Sequence, residues 1–230
     1  KMKKIISLSA IISLIFSLGV ISHNANAQEY ICPEPYSNIV HLDADYTYGT
    51  NMICRIHIVY CCWWDNTNKT LWKTILSYES IGYAGTTGSN CLSAIPDWND
   101  FLRWLNSTVA AHANLNCQPD APPCDEQTEP NYTKVTQSAC VYAQNILLYS
   151  GDDVYSLKFK TCTNGTANCT SEYINCYDYN YSPPILRTIF VRRYLTGTVN
   201  CNPNRPEMPP IGKTWSEPWT TECYMNSSCN

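Results

Sequence analysis

Three histidines lie beyond the apolar leader of the chain: His41, His57 and His112. His41, Asp43 and Asp45 alternate, so on a strand they share one face. One imidazole beside two carboxylates can hold a metal ion or act as a base with its orienter. The same spacing describes a solvated polar edge, and that is the reading preferred here. His57 stands beside Arg55 on the mixed face of an apolar run, and His112 closes a helical pattern, where a cation suits the dipole. Both read as structural. Asp152-Asp153 follows Gly151 and reads as a turn. A hydrolase would need two or more of His41, Asp43, Asp45, Asp152 and Asp153 to meet in a cleft. No G-x-S-x-G, H-E-x-x-H, P-loop or dinucleotide glycine pattern is present.

The 14 cysteines are Cys32, Cys54, Cys61, Cys62, Cys91, Cys117, Cys124, Cys140, Cys162, Cys169, Cys176, Cys201, Cys223 and Cys229. None forms a C-x-x-C pair, which argues against a zinc ribbon or a haem attachment. Disulfides are the expectation, seven at most. Cys162 and Cys169 flank a turn and are placed to staple it. Cys61 and Cys62 are neighbours on a strand, so they point to opposite faces and need separate partners. No metal and no other cofactor is expected.

Aromatic side chains are the remaining chemical resource. Seven tryptophans accompany 17 tyrosines. Exposed Trp and Tyr on a rigid sheet can stack on sugar rings or anchor a protein partner. Trp215 and Trp219 lie in a stretch with little periodicity, so a core explains them least. With Trp63 and Trp72 they are the candidate carbohydrate- or partner-binding residues. Six Asn-x-Ser/Thr sequons, at Asn68, Asn106, Asn131, Asn164, Asn168 and Asn226, read as a by-product of Asn- and Thr-rich loops.

The compartment follows from the first residues. Lys3-Lys4, apolar Ile5 to Ile21 and Ala25-Asn-Ala27 form a bacterial-type secretory signal over residues 1–27, with Gln28 as the expected mature start. No later stretch is apolar enough to span a bilayer. Without the leader lysines the chain carries 12 basic and 19 acidic residues, a balance of −7. That gives no electrostatic basis for binding nucleic acid or anionic membrane.

The elements that must position these residues read as mainly β. Ile53 to Trp64 alternates, with Cys54, Ile56, Ile58, Tyr60, Cys62 and Trp64 on one face. Asp65 to Lys69 is a turn, and Thr70 to Tyr83 returns with Trp72, Thr74, Leu76 and Tyr78 on one face, making a long hairpin. Val154 to Cys162 and Cys169 to Tyr177 flank Asn164-Gly165 and read as a second hairpin. Between them Asp97 caps an amphipathic helix expected to end near Leu115, with Trp98, Phe101, Leu102, Leu105, Val109 and Ala113 as its apolar stripe. Gln28 to Met52 reads as irregular, with at most a short strand at His41–Asp45. Residues 133–149 and 183–195 lean towards strand. Asn200 to Asn230 reads as a tail pinned by cystines. The expected fold is a mainly β, β-rich α+β protein: an antiparallel sheet or sandwich of two hairpins, one helix and several disulfides. Residues 28–116 and 133–230 form two halves joined by a Pro- and Cys-rich connection, 117–132, within what can still be a single domain.

The functional expectation is an exported extracellular, cell-surface or periplasmic protein. A non-catalytic structural or protein-binding module comes first, a carbohydrate-binding module second and a secreted hydrolase third. The partner expected is a cell-envelope protein, a glycan or a second copy of the chain.

Overall fold

Cys54, Ile56, Ile58 and Tyr60 alternate along β2 (Met52–Asp65), and all four are buried. In the computed structural model, the described residues are 30–49, 52–81, 91–113, 117, 121–125, 132–149, 154–163, 167–226 and 229. The leader reading, Asp152 and Asp153, and the sequons Asn131 and Asn164 lie outside them. Residues from Ile31 onward form one compact unit.

The first hairpin forms as expected. The Asp65 carboxylate accepts the backbone N–H groups of Thr67 and Asn68 at 2.9 and 3.2 Å, and the chain returns as β3 (Thr70–Ser80). The predicted face of β3 needs correction. The register with β2 slips once, so that Val59 faces Ser77 while Tyr60 faces Ile75. Leu76 is the extra residue of a β-bulge, which reverses the alternation. Leu71, Lys73 and Ile75 are therefore buried before the bulge, and Tyr78 and Ser80 after it.

The segment before β2 is not irregular. β1 (Asn38–Tyr48) pairs antiparallel with β2 along its whole length. Only Val40 and Tyr46 on it are fully buried, and its other face carries His41, Asp43, Asp45 and Thr47. That weak apolar contrast hid the strand.

The sheet is not purely antiparallel. From β3 the chain crosses over through α1 (Trp98–Ala111) to β4 (Tyr132–Ser138), which lies parallel to β3. A parallel neighbour requires such a crossover, and here the helix fills it and covers one face of the sheet. Asp97 caps α1 by accepting the Asp100 backbone N–H at 2.9 Å. The helix stops at Ala111 with His112 as its C-cap, earlier than the apolar spacing implied.

After Ala139, β5 (Cys140–Tyr149) leads into β6 (Val154–Thr161), with which it pairs antiparallel. β7 (Asn168–Asp178) pairs with β4 on one side and β8 (Ile185–Thr196) on the other. The predicted second hairpin does not exist, because β6 and β7 do not pair. One edge of β3 is divided: its first half takes β4 and its second half takes β6. β6 and β7 are thereby drawn to different parts of the sheet. The short β9 (Trp219–Thr220) and β10 (Tyr224–Met225) add to the far edge of β5. The result is a mixed sheet with one principal helix and a core between them. Phe101, Leu102, Leu105 and Val109 of α1 meet Ile58, Leu71, Ile75, Val135, Leu157 and Phe159 of the sheet.

All 14 cysteines are paired: Cys32–Cys61, Cys54–Cys91, Cys62–Cys117, Cys124–Cys176, Cys140–Cys201, Cys162–Cys223 and Cys169–Cys229. Cys61 and Cys62 take separate partners, as opposite faces of a strand require. Cys162 and Cys169 do not staple their turn; each instead holds the tail.

Candidate binding site

β1 and β2 bring His41, Asp43 and His57 together. His57 Nδ1 lies 2.6 Å from Asp43 Oδ1, and His57 Nε2 lies 3.1 Å from His41 Nδ1. With a proton on Nδ1, His57 donates to the carboxylate and its Nε2 accepts from His41. The order is that of a proton relay, but the groups stand on an open strand face. They belong to a cross-strand row of Asp43, His57, Glu79, Lys158 and Gln144, in which Lys158 bonds Glu79 at 3.4 Å. Burial first, then the neighbouring His57, lowers the pKa of His41, against the pull of Asp43. Among the described residues no three potential ligands are grouped to hold a metal ion. Asp45, two residues further along the same face of β1, makes no hydrogen bond to them. With every cysteine oxidised, no thiol can act as a nucleophile.

His112 is part of a buried polar knot at the C-terminus of α1. Lys73 Nζ donates to the carbonyls of Val109, Ala110 and His112 at 2.8, 3.3 and 2.7 Å. The Tyr60 hydroxyl and His112 Nδ1 are hydrogen-bonded at 2.7 Å, and Asn175 Nδ2 donates to Ala110 O at 3.1 Å. These bonds satisfy carbonyls that a helix end leaves open. The knot is structural, and solvent does not reach Lys73.

The tryptophans singled out by sequence mostly pack. Trp219 is 5% exposed, donates from Nε1 to Thr214 O at 3.1 Å, and meets half-buried Trp215 edge to face. The Trp215 carbonyl accepts from Asn145 at 2.9 Å, so this tail segment is tied to β5. Trp63 and Trp72 face each other across β2 and β3, half-buried, with Lys134 Nζ 4.8 Å from the Trp72 ring centre.

A cavity lies elsewhere, at the meeting of β1, α1, β7 and β8. It measures about 830 Å³ and is lined by Asp45, Tyr46, Thr47, Asp100, Arg103, Trp104, Ser107, Tyr173, Phe190 and Arg193. Ligand pockets are commonly of this size, with apolar walls and a few placed polar groups. Each wall is held from behind. Tyr46 O–H donates to Asp100 Oδ2 at 2.9 Å, and its ring lies 5.0 Å from that of Trp104. Burial and the bond to Asp100 push the Tyr46 phenol up to about 12, so it stays a donor. Tyr173 meets Phe190 edge to face at 5.7 Å, and Arg193 Nε donates to Ser171 Oγ at 2.9 Å.

No family model, curated protein or solved structure matches this chain. Its chemistry therefore rests on its own geometry. Only Asp45 of this cavity stood among the sequence candidates. One signal for the rest was present: Asp100, Arg103, Trp104 and Ser107 recur at helical spacing, a second stripe of α1 beside its apolar one. Tyr173, Phe190 and Arg193 had no local signal, because only the pairing of β7 with β8 places them here.

Proposed function

We propose that the chain is an exported, disulfide-locked binding module without a reaction centre, and that it holds its ligand in the pocket between β1, α1 and β8. The observation that carries this reading is the pocket itself: aromatic rings on two walls, with two carboxylates and two guanidinium groups between them. Seven disulfides fit an oxidising compartment, and the leader gives the route to it. The relay of Asp43, His57 and His41 lies outside the pocket on an open face, which weighs against a hydrolase.

A screen of the oxidised protein against mixed peptides and glycans, read by the indole resonance of Trp104, tests the reading. Ligands that move this resonance should bind at least tenfold more weakly to Phe190→Ala. Ligands that bind equally well to the variant would place the site elsewhere. N-terminal sequencing of protein secreted from its own leader should begin at Gln28.

A second reading concerns a protein partner. β8 pairs only with β7 among the described residues, and its Ile185, Ile189, Phe190, Val191 and Leu195 are 43–54% exposed. A long apolar edge strand is a surface on which an extended partner segment can add. Replacing Ile189 and Val191 by lysine should abolish such docking and leave pocket ligands bound.

A further inference from the structure

We infer that the pocket between β1, α1 and β8 takes a neutral saccharide, a short stretch of oligosaccharide with no formal charge. This inference rests on the pocket being the binding site. The first argument is charge. Asp45, Asp100, Arg103 and Arg193 all line the same cavity, with Asp100 and Arg103 paired along α1. Their charges cancel, so an anionic ligand meets two carboxylates and a cationic one meets two guanidinium groups. A ligand without charge avoids both penalties.

The second argument is the kind of polar group. A sugar hydroxyl both donates and accepts, and it can bridge a carboxylate and a guanidinium at once. The Asp45 carboxylate has no hydrogen bond or ion pair among the described residues, so its acceptor positions face the cavity and solvent. Asp100 is fixed by Tyr46 and by a 3.4 Å contact with Arg103, which leaves most of that guanidinium fork unused. Ser107 Oγ donates its proton to the Trp104 carbonyl at 2.9 Å and so presents lone pairs to a ligand.

The third argument is the walls. A sugar ring has an apolar face of C–H groups that packs on an aromatic ring. Trp104 stacks on Phe101 and leans on Tyr46, both fixed in the core, so it is a rigid platform. Phe190, 54% exposed, stands on the β8 side. Rigid aromatic walls keep down the ordering cost that otherwise erodes affinity.

The experiment is a glycan array probed with the oxidised, leader-free chain, beside an array of acidic, basic and apolar peptides. Neutral glycans are expected to bind. Asp45→Asn should weaken that binding about tenfold, as the loss of a charge-assisted bond implies. Phe190→Ala should weaken it at least as much. Both positions are exposed, so the variants should keep the parent melting temperature. Retained binding by both variants, or binding confined to sialylated or sulfated glycans, would overturn the assignment. Peptides that bind and are lost in Phe190→Ala, with a blank glycan array, would also overturn it while leaving the pocket as the site. Two blank arrays would remove the pocket reading along with it.

Discussion

Lys73 is a cation at a position where its neighbours on the strand, Leu71 and Ile75, are core residues. Burial lowers its pKa from 10.5 to about 7, while three carbonyl acceptors at the end of α1 favour the charged form. With the folded value depressed, the unfolded chain binds more protons between about 7 and 10.5, so stability should rise with pH across that window. Urea melts from pH 7 to pH 9.5 should show this slope, and Lys73→Met should lack it. The variant should also lose roughly 1–3 kcal/mol at neutral pH, because buried carbonyls are left without a donor. A flat profile in the parent would mean that the carbonyls hold the ammonium charged throughout. His41 makes a second test at this scale. Its pKa is depressed, so its share of stability is complete above 6.5 and is lost as pH falls through that value and below it. In an NMR titration His41 should titrate below 6.5, and Asp43→Asn should lower it further by removing the carboxylate that favours the cation. The alternation of His41, Asp43 and Asp45 was legible in the sequence. That His57 would join two of them was not, because the register of β1 on β2 depends on a strand whose apolar face is sparse.

At the scale of elements, legibility followed how local the determining contacts are. The cap at Asp97 was readable because its donor is three residues away, at Asp100. Asp97→Ala should cost about 1 kcal/mol in a thermal melt, as the loss of an N-cap usually does. An unchanged melt would show that the tertiary packing of α1 alone sets its start. The first hairpin was readable from its turn and its alternation. The second was misread, although β6 and β7 alternate just as well. Alternation says that a strand has two faces and says nothing about which strand lies beside it. That choice is made by β3, whose bulge at Leu76 and divided edge assign β4 and β6 to different halves. The end of α1 was misjudged for a related reason. Its apolar spacing runs on, but Lys73 and Asn175 cap the carbonyls of Val109 and Ala110 from other strands. The pocket inherits this limit, since its helical stripe is local and its β7 and β8 wall is not.

For the whole molecule, the connectivity of the cystines contains a regularity that the spacing of cysteines cannot reveal. Cys32–Cys61, Cys54–Cys91 and Cys62–Cys117 close within the first part of the chain. The other four close within the part from Cys124 onward. No cystine joins the part ending at Cys117 to the part beginning at Cys124, yet the sheet spans both: β3 pairs with β4 and β6, and α1 packs against β4 and β8. The two parts are thus covalently separate frameworks that share one non-covalent sheet and one core. A protease site engineered into residues 118–120, after Cys117 and before Cys124, separates these two kinds of linkage. After cleavage without reductant, the chain should run as two fragments on a denaturing gel, and as one species on a native column. Burial of Leu71, Ile75, Val135 and Phe159 between the parts supplies the association, at about 1.5–3 kcal/mol for each large apolar side chain fully buried. Denaturant should then part the nicked protein in a concentration-dependent transition, whereas the intact chain should unfold independently of concentration. One band on the denaturing gel would show that a cystine spans the connection and that the pairing described here is wrong. Early separation on the native column would show instead that each part folds around its own cystines and that the shared sheet contributes little.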